Sequence, residues 1–369
     1  MSELDQNRPF HRWAEIDVRA IEANTEKLSK RLPGGAHVIA VVKADGYGHG
    51  ALAATRAALG GGAWGVAVAT LEEAVALEDA CLPERILILS SLLPSDAAEL
   101  ARKGFGVTCS NRELLDALKS AANPERPIPV HLKVDTGMSR LGCQPDEAPQ
   151  FAREIADTPG LKLAGTYTHF ASPESDEAGT RRQFDLFIEV LETFDVDPGI
   201  RHACNSIAAN RYPEMALDAV RAGILLYGCE DADYRLAMNL RAAITHVKTV
   251  PSGARVGYGG TWTAQQPTRV ATVSIGYADG VHRIRSGKGW ALVRGRRAPL
   301  IGRVSMDLVT LDVSEIPDAA VGDAATFIGR DGDDGDEEIR PELVAEWSGT
   351  ISYEVLTSIS TRVVRRYLE

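Results

Sequence analysis

Short apolar runs recur along residues 13–238, and each is followed by a segment with helical periodicity. Eight runs have the length and composition of buried strands, and they begin at His37, Trp64, Arg85, Gly106, Val130, Leu163, Arg201 and Ala219. Runs that are apolar at nearly every position are typical of parallel strands covered by helices on both faces. About eight repeats of one βα unit therefore predict an α/β fold, a closed (β/α)8 barrel of the TIM type.

An open, doubly wound parallel sheet is the alternative arrangement of the same repeats. Its dinucleotide fingerprint, G-x-G-x-x-G after the first strand, is absent, which favours the barrel. Among the helical segments, NRELLDALKSA opens on Asn111, a residue type that commonly caps a helix N-terminus.

After about Asn239 the pattern changes. Segments such as TRVATVSIGYADG and RRAPLIGRVSMDLVTLDV are rich in Val, Thr and Gly, with turn residues at short intervals. This pattern predicts a C-terminal, mainly antiparallel β-domain over residues 239–369, which the segment 1–12 is a candidate to join. The run DGDDGDEE from Asp331 lacks the residue order of a calcium loop, so we interpret it as a solvated hairpin loop. A short helix is predicted near Pro341–Trp347.

Composition excludes several classes of protein. The chain has 369 residues, a formal net charge of -11 and five scattered cysteines without a C-x-x-C pair. An acidic balance disfavours nucleic acid or an anionic membrane as partner, and the cysteine pattern indicates neither a metal site nor a disulfide framework. The N-terminal stretch lacks the apolar core of a signal peptide, and no apolar run is long enough to span a bilayer. We expect a cytoplasmic protein.

Lys43 stands at the carboxyl end of the first predicted strand, in the glycine-rich run VVKADGYGHG. In (β/α)8 barrels this rim holds the active site. Lysine forms Schiff bases with carbonyl compounds, and its pKa falls readily on desolvation. The alternative is an ordinary solvated lysine at a strand end. The neighbouring Asp45, Tyr47 and His49 favour a functional loop, although the run alone names no cofactor.

The segment KADGYGHG resembles the cofactor-lysine motif of the alanine racemases. Eight further stretches resemble motifs of that family in the same order: VDTGMSRLG, THF, HACNS, RAGILLYG, VGYGGTW, GYADG, SMD and ISYEV. Together they cover essentially the whole chain. The resemblance implies a pyridoxal-phosphate-dependent isomerase of fold type III that interconverts L-alanine and D-alanine and supplies D-alanine for peptidoglycan.

The same resemblance implies catalytic roles. Lys43 would hold pyridoxal 5′-phosphate, and Tyr258 from a second subunit of a homodimer would face the opposite side of it. Two bases on two faces suit racemisation, because one removes the α-proton and the other returns a proton to the opposite side. His169 would assist Tyr258, and Arg221 would donate to the pyridine nitrogen and leave it unprotonated. The alternative for Arg221 is a salt bridge to Asp218.

The binding residues are likewise implied by the family motifs. The cofactor set comprises Lys43, Tyr47, Arg140, His169, Asn205, Ser206, Arg221, Gly223, Ile224 and Tyr353. The substrate set comprises Arg140, Met306, Tyr258, Asp307 and Tyr277. Lys133 matches a lysine that is often carbamylated in the family, which would create an anion beside Arg140. From the residues alone, Ser206 could instead be a helix N-cap and Asn205 a turn residue.

Two positions depart from the family pattern. Ser305 stands where many members have cysteine, and Val364 stands where proline is common. Three other functions remain open: a serine or broad-specificity racemase, a non-catalytic pyridoxal-phosphate-binding protein on the same barrel, and a decarboxylase of basic amino acids. The long C-terminal region and Tyr258 disfavour the second, and the missing cysteine motif disfavours the third.

Overall fold

The computed structural model describes residues 10–331 and 337–368 of the 369. The described chain forms two compact units. The barrel unit comprises residues 20–226, and the β-unit comprises residues 10–19 together with residues 227–368. Within the described ranges, none of the helices combines the length and apolar character needed to cross a bilayer.

The first part of the chain contains one strand outside the barrel, β1, followed by the elements of a closed barrel. In chain order its elements are β1 (Arg12–Asp17), α1 (Val18–Arg31), β2 (His37–Val41), α2 (Lys43–Tyr47), α3 (Ala51–Gly60), β3 (Gly65–Val68), α4 (Leu71–Val75), β4 (Ile86–Ile88), α5 (Ala97–Lys103), β5 (Gly106–Cys109), α6 (Arg112–Ala121), β6 (Ile128–Lys133), α7 (Ala148–Asp157), β7 (Leu161–Tyr167), α8 (Glu177–Glu192), β8 (Ile200–Asn205), α9 (Ser206–Arg211) and β9 (Ala219–Ala222). Strands β2 to β9 pair in parallel with their successors, and β9 pairs back to β2. The predicted barrel is confirmed, and the open sheet is excluded.

The eight predicted strands correspond to β2–β9, and most of their apolar residues are buried. All six residues of β6, for example, are buried. The helix predicted after Asn111 is confirmed as α6: the Asn111 side chain accepts a hydrogen bond from the backbone N–H of Leu114 at 2.9 Å. One face of α6 packs Leu114, Leu115 and Leu118 fully into the core.

The β-unit is built on one nine-stranded, mainly antiparallel sheet and a two-stranded hairpin. Its remaining elements are β10 (Met238–Val250), β11 (Arg255–Val256), β12 (Trp262–Thr263), β13 (Thr268–Val273), β14 (Trp290–Val293), β15 (Arg296–Pro299), β16 (Val309–Asp312), β17 (Ala324–Arg330), β18 (Glu338–Ile339), α10 (Pro341–Ser348), α11 (Ser352–Thr357) and β19 (Val364–Leu368). The expected C-terminal β-domain and the short helix near residue 341 are both present.

The first strand lies in a different unit from the one expected. Residues 13–17 were assigned to the barrel domain, but β1 pairs with β10 and β19 of the β-unit. The reason is visible in its burial, since Ala14 and Ile16 are buried while their neighbours are half-buried. Such alternation suits a sheet with one solvated face, whereas β3, β4, β5, β6 and β9 of the barrel are buried at every residue. Along the chain, the division between the barrel unit and the β-unit falls after residue 226, whereas the expected domain boundary follows residue 238.

Two expectations concern residues outside the described ranges. The segment 1–12 overlaps the structure only at residues 10–12, and Arg12 begins β1. The acidic run from Asp331 connects β17 to β18, which pair antiparallel. The calcium-loop alternative concerned residues 332–336, which lie outside the described residues.

Candidate active site

Lys43 opens a backbone turn of unusual conformation at the carboxyl end of β2. Ala44, Asp45 and Gly46 have φ values of 52°, 54° and 61°, so α2 is a left-handed turn. Left-handed backbone costs about 1–2 kcal/mol for each residue with a side chain, and it persists only where surrounding contacts enforce it. The carboxylate of Glu73 supplies such a contact, because it accepts from Ala44 N at 2.7 Å.

Four cationic side chains cluster at this rim of a net-acidic chain: Lys43, Lys133, Arg140 and Arg221. Burial first and then Arg140 lower the pKa of Lys43. Burial, followed by Arg221, lowers the pKa of Lys133 to about 8. Burial also lowers the pKa of Arg221 to about 10. The pKa of His169 lies well below its usual value because of burial and all four of these cations. Such a cluster is suited to a ligand with several negative charges.

Arg221 is held by the barrel rather than by a carboxylate. One terminal nitrogen donates to His202 Nδ1 at 2.7 Å, and the other donates to Thr168 O at 2.8 Å and to His169 Nδ1 at 3.2 Å. The salt-bridge alternative is wrong, because Asp218 pairs with Arg201 at 2.7 Å. Both terminal nitrogens of the Arg221 guanidinium are thus held by the barrel.

Three donor groups meet where β9 approaches the left-handed turn. Ser206 Oγ accepts from Gly223 N at 2.8 Å, and a β-carbon on Gly223 would lie 2.6 Å from the Tyr47 hydroxyl oxygen. Burial raises the pKa of Tyr47, so its hydroxyl keeps its proton. The N-cap of α9 is Asn205, which accepts from Ala208 N at 3.0 Å. Ser206 is therefore not the cap, and its hydroxyl lies beside Gly223.

In the β-unit, Tyr258 occupies the tip of the β11–β12 hairpin. Gly257, Gly259 and Gly260 have φ values of 73°, 70° and 52°, which explains the glycines around the tyrosine. The Arg255 guanidinium donates to Gly260 O and Gly259 O, both at 3.0 Å, and holds the turn. The Tyr258 side chain is 72% exposed.

Two further loops of the β-unit carry the predicted substrate-binding residues, Tyr277 on one and Met306 and Asp307 on the other. The backbone N–H groups of Tyr277 and Ala278 donate to Ser305 O and Met306 O, both at 3.0 Å. The fully buried Asp279 accepts from Gly276 N at 2.9 Å and pairs with Arg12 at 3.0 Å. Arg362 bridges Asp279 and Asp307, at 3.2 and 2.7 Å. Tyr353 lies on α11 of the same unit.

Comparison with known proteins agrees with this geometry. Residues 16–231 match the family Alanine racemase, N-terminal domain, and residues 237–367 match its C-terminal domain. The chain belongs to the alanine racemase family. The resemblance seen in the sequence motifs is thus confirmed, and the enzyme class is that of an isomerase of the alanine racemase type.

Individual relatives align over nearly the full chain. The alanine racemase of Desulfovibrio desulfuricans is 41% identical over 97% of this chain and 98% of its own length. The crystal structure of the E. faecalis alanine racemase covers 99% of this chain and 100% of its own, with 36% identity and a TM-score of 0.91. That of the Bartonella henselae alanine racemase, with covalently bound pyridoxal phosphate, covers 98% of this chain and 100% of its own, with 28% identity and a TM-score of 0.86.

Several residues that build this alanine racemase site were not singled out from the sequence. They are Glu73, which holds the Lys43 turn, His202, which holds Arg221, and Asp279, which holds the Met306 loop. Glu73 has a sequence signal, the capping box T-x-x-E that begins at Thr70. That signal predicts the start of α4 but not the contact with residue 44. His202 and Asp279 lie in family motifs without an assigned role.

Proposed function

We propose that this protein racemises alanine with pyridoxal 5′-phosphate, using Lys43 and Tyr258 as the two bases. The observation that carries the proposal is the cluster of Lys43, Lys133, Arg140 and Arg221 at one barrel rim of a chain with net charge -11. A cofactor with a phosphate and a phenolic oxygen, together with a substrate carboxylate, supplies the negative charge that such a cluster would neutralise.

The residues of the barrel unit fit this cofactor. The Tyr47 and Ser206 hydroxyls are adjacent groups of the kind that donate to phosphate oxygens. Ile224, Tyr353 and the Gly223 N–H, which here donates to Ser206 Oγ, are expected to join them. Arg221 Nε is a donor suited to an unprotonated ring nitrogen, and Arg140 is suited to the phenolic oxygen. Covalently bound pyridoxal phosphate in the Bartonella henselae relative supports the same assignment. When bound, the cofactor accepts the electron pair left by the broken Cα–H bond.

The chain's own groups move the protons. Because burial and Arg140 lower the pKa of Lys43, a larger fraction of its Nζ is neutral and can accept a proton. His169 Nδ1 accepts from Arg221, so in the neutral ring Nε2 carries the hydrogen. That Nε2–H is a donor able to stabilise the phenolate of Tyr258. Lys43 would serve the D-isomer and Tyr258 the L-isomer.

The exposure of the β-unit residues supports a homodimer with shared active sites. Tyr258 is 72% exposed and Met306 52%, and Ile284 and Leu308 are exposed large apolar side chains of the same unit. Exposed apolar side chains of this kind often mark an interface. We propose that Tyr258, Tyr277, Met306 and Asp307 act on the cofactor of the partner subunit, with Met306 N–H on the substrate carboxylate.

Lys133 is proposed to carry a carbamate. A neutral amine is the form that attacks carbon dioxide, and the pKa of about 8 makes that form accessible near neutral pH. The carbamate would place one negative charge beside Arg221 and Arg140.

D-Alanine made in a reducing cytoplasm would serve peptidoglycan synthesis, and the five buried, free cysteines suit that compartment.

Two measurements test the proposed function. The absorption spectrum of the purified protein should contain a cofactor band that sodium borohydride removes while fixing the cofactor covalently. Its kcat/KM should favour alanine over serine by about tenfold or more, the discrimination expected of a pocket that excludes one hydroxyl. Equal values for the two amino acids would favour a broad-specificity racemase. A bound cofactor without racemisation would favour the non-catalytic binding protein.

A further inference from the structure

A chain of three hydrogen-bonding side chains runs through the interior of the barrel from Arg221. Arg221 donates to His202 Nδ1 at 2.7 Å, and His202 Nε2 lies 3.1 Å from His131 Nδ1. The exposed fractions of Arg221, His202 and His131 are 3%, 0% and 2%. The cofactor lies at neither imidazole in the proposed function, so the chain needs a separate explanation.

The chemistry of arginine determines the hydrogen positions along this chain. A guanidinium only donates, so His202 Nδ1 must accept and cannot carry a hydrogen. A neutral His202 then has its hydrogen on Nε2 and donates it to His131 Nδ1. His131 in turn has its hydrogen on Nε2. Burial lowers the pKa of His131 to about 4 and that of His202 well below its usual value, so both rings are neutral at neutral pH.

The surrounding residues hold both rings in place. Tyr167 stacks on His202 with ring centroids 4.6 Å apart and an interplanar angle of 8°. The Tyr167 hydroxyl is hydrogen bonded to Thr108 Oγ1 at 2.8 Å. A β-carbon on Gly165 would lie 2.5 Å from His131 Nδ1, so the glycine leaves the space that this ring fills. Neither imidazole can rotate without disturbing its neighbours.

The chain ends at the barrel floor, at the amino ends of the strands. His131 lines a cavity of 840 Å³ there, together with Trp64, Lys162 and Asp218 among others. Lys43 and Arg221 belong to the opposite, carboxyl end. The side chains thus connect the proposed cofactor site with the floor through two hydrogen bonds, one donated by the Arg221 guanidinium and one between the two neutral imidazoles.

We propose that His202 and His131 are positioning residues that orient the Arg221 guanidinium, so that its Nε–H points at the ring nitrogen of the cofactor. This inference rests on the proposed function for the identity of the cofactor, but the tautomers do not depend on it. Because His202 Nδ1 is a neutral acceptor, the Arg221 guanidinium keeps its full charge. His131 accepts from His202 Nε2 and so holds His202 in the tautomer whose Nδ1 carries no hydrogen.

The first arm of the test needs neither cofactor nor activity. Long-range ¹H–¹⁵N NMR of the cofactor-free protein, with assignments from His202→Gln and His131→Asn, reports which ring nitrogen carries the hydrogen. We expect Nε2–H for both His202 and His131. A hydrogen on His202 Nδ1, or a charged ring at neutral pH, would overturn the inference whether or not the protein is a racemase.

The second arm compares two variants of nearly equal shape. In His131→Asn the amide oxygen can replace Nδ1 as acceptor, whereas in His131→Leu nothing can. Losing one hydrogen bond to a buried group is expected to lower kcat about tenfold in the leucine variant, with KM for alanine little changed, while asparagine retains most of the activity. The cofactor absorption band should shift in the leucine variant only.

The control is His37→Leu, which alters another histidine of the floor cavity that is not in the chain. We expect its kcat and cofactor band to match wild type. If His131→Asn and His131→Leu lose activity equally and their cofactor bands match wild type, His131 fills space and the positioning role is refuted. Should His131→Leu fail to fold, His131→Gln replaces it, since its longer side chain cannot place an acceptor at the Nδ1 position.

Discussion

The two halves of the proposed catalytic apparatus are built in opposite ways. In the barrel unit Arg221 and Ser206 are only 3% exposed each and are hydrogen bonded within the unit, Lys43 and His169 are half-buried, and Arg140 alone of these five is exposed. In the β-unit the supports are rigid but the functional side chains protrude, with Tyr258 72% and Met306 52% exposed. Buried polar side chains of this kind find their hydrogen-bond partners within the same unit. An exposed set on a rigid turn is suited to a site on another chain, and that difference underlies the proposed dimer.

The largest expected effect is on the buried half. Lys43→Ala should remove both the cofactor anchor and one base, and lower racemisation in both directions by at least about 10²–10⁴-fold. The borohydride-reducible absorption band should disappear with the activity. The exposed lysine Lys30 provides the control, and Lys30→Ala should retain both. Covalently bound cofactor after reduction of Lys43→Ala would mean that another lysine is the anchor.

Replacing Tyr258 in the exposed half should affect L-alanine and D-alanine unequally. Tyr258→Phe is expected to lose about 10²–10⁴-fold in racemisation while still binding cofactor, because a proton donor and acceptor is removed from one face only. Exchange of the α-proton with deuterium should fall far more for L-alanine than for D-alanine. Tyr212→Phe, at a tyrosine of the barrel unit, should change neither rate. Equal exchange of both isomers would contradict the assignment of Tyr258 to the L-isomer.

Mixing the two variants tests the division between subunits directly. Inactive Lys43→Ala and inactive Tyr258→Phe should regain activity after subunit exchange, to roughly a quarter of wild type, since random pairing gives one intact site in half of the dimers. Activity is measured before and after exchange in mild denaturant. No recovery, with mixed dimers demonstrated by mass, would place both bases in one chain.

Lys133 makes the buried half sensitive to pH. Its folded-state pKa of about 8 lies below the ordinary lysine value of 10.5, so between these pH values the unfolded chain binds a proton that the native chain does not. Stability of unmodified protein should therefore rise with pH across that window, by up to about 3 kcal/mol. Urea unfolding at pH 7.5 and 10, without carbon dioxide, measures it.

In Lys133→Met that rise should be absent, whereas Lys162→Met, at an exposed barrel lysine, should keep it. Labelled bicarbonate should give a carbamate signal in wild type and in Lys162→Met but not in Lys133→Met. A pH response identical in Lys133→Met and wild type would show that Lys133 is already neutral or anionic throughout the window.

The smallest expected effect is at Ser305, beside the exposed Met306. Burial raises the pKa of the native thiols, to about 12 for Cys109, Cys143 and Cys204, so iodoacetamide should leave the wild-type activity intact. Ser305→Cys should change activity by no more than about twofold and then lose it on alkylation. Alkylation at Ser252→Cys, an exposed control, should be harmless. If alkylated Ser305→Cys stays active, this loop does not reach the site.

Much of this molecule could be predicted from the order of its residues. The eight barrel strands follow from local burial patterns, and the positions of Lys43, Tyr258 and Arg221 follow from family motifs. The domain membership of β1 did not, because the sequence pattern places residues 13–17 with the barrel although the burial of this strand alternates. Its pairing partners, β10 and β19, lie more than 200 residues away in the chain.

The sequence pattern therefore determined which segments form helices or strands, and which chemically functional side chains stand at the ends of those strands. Tertiary structure alone decided the hydrogen bonds between residues distant in the chain, such as His131 with His202, 71 residues apart, and the backbone N–H of Ala44 with the Glu73 carboxylate, 29 apart. These pairings depend on strand register and barrel closure, which bring together residues with no local signal of their proximity. Burial then altered the pKa values of Lys43 and Lys133, because desolvation is a property of the folded environment and not of the residue.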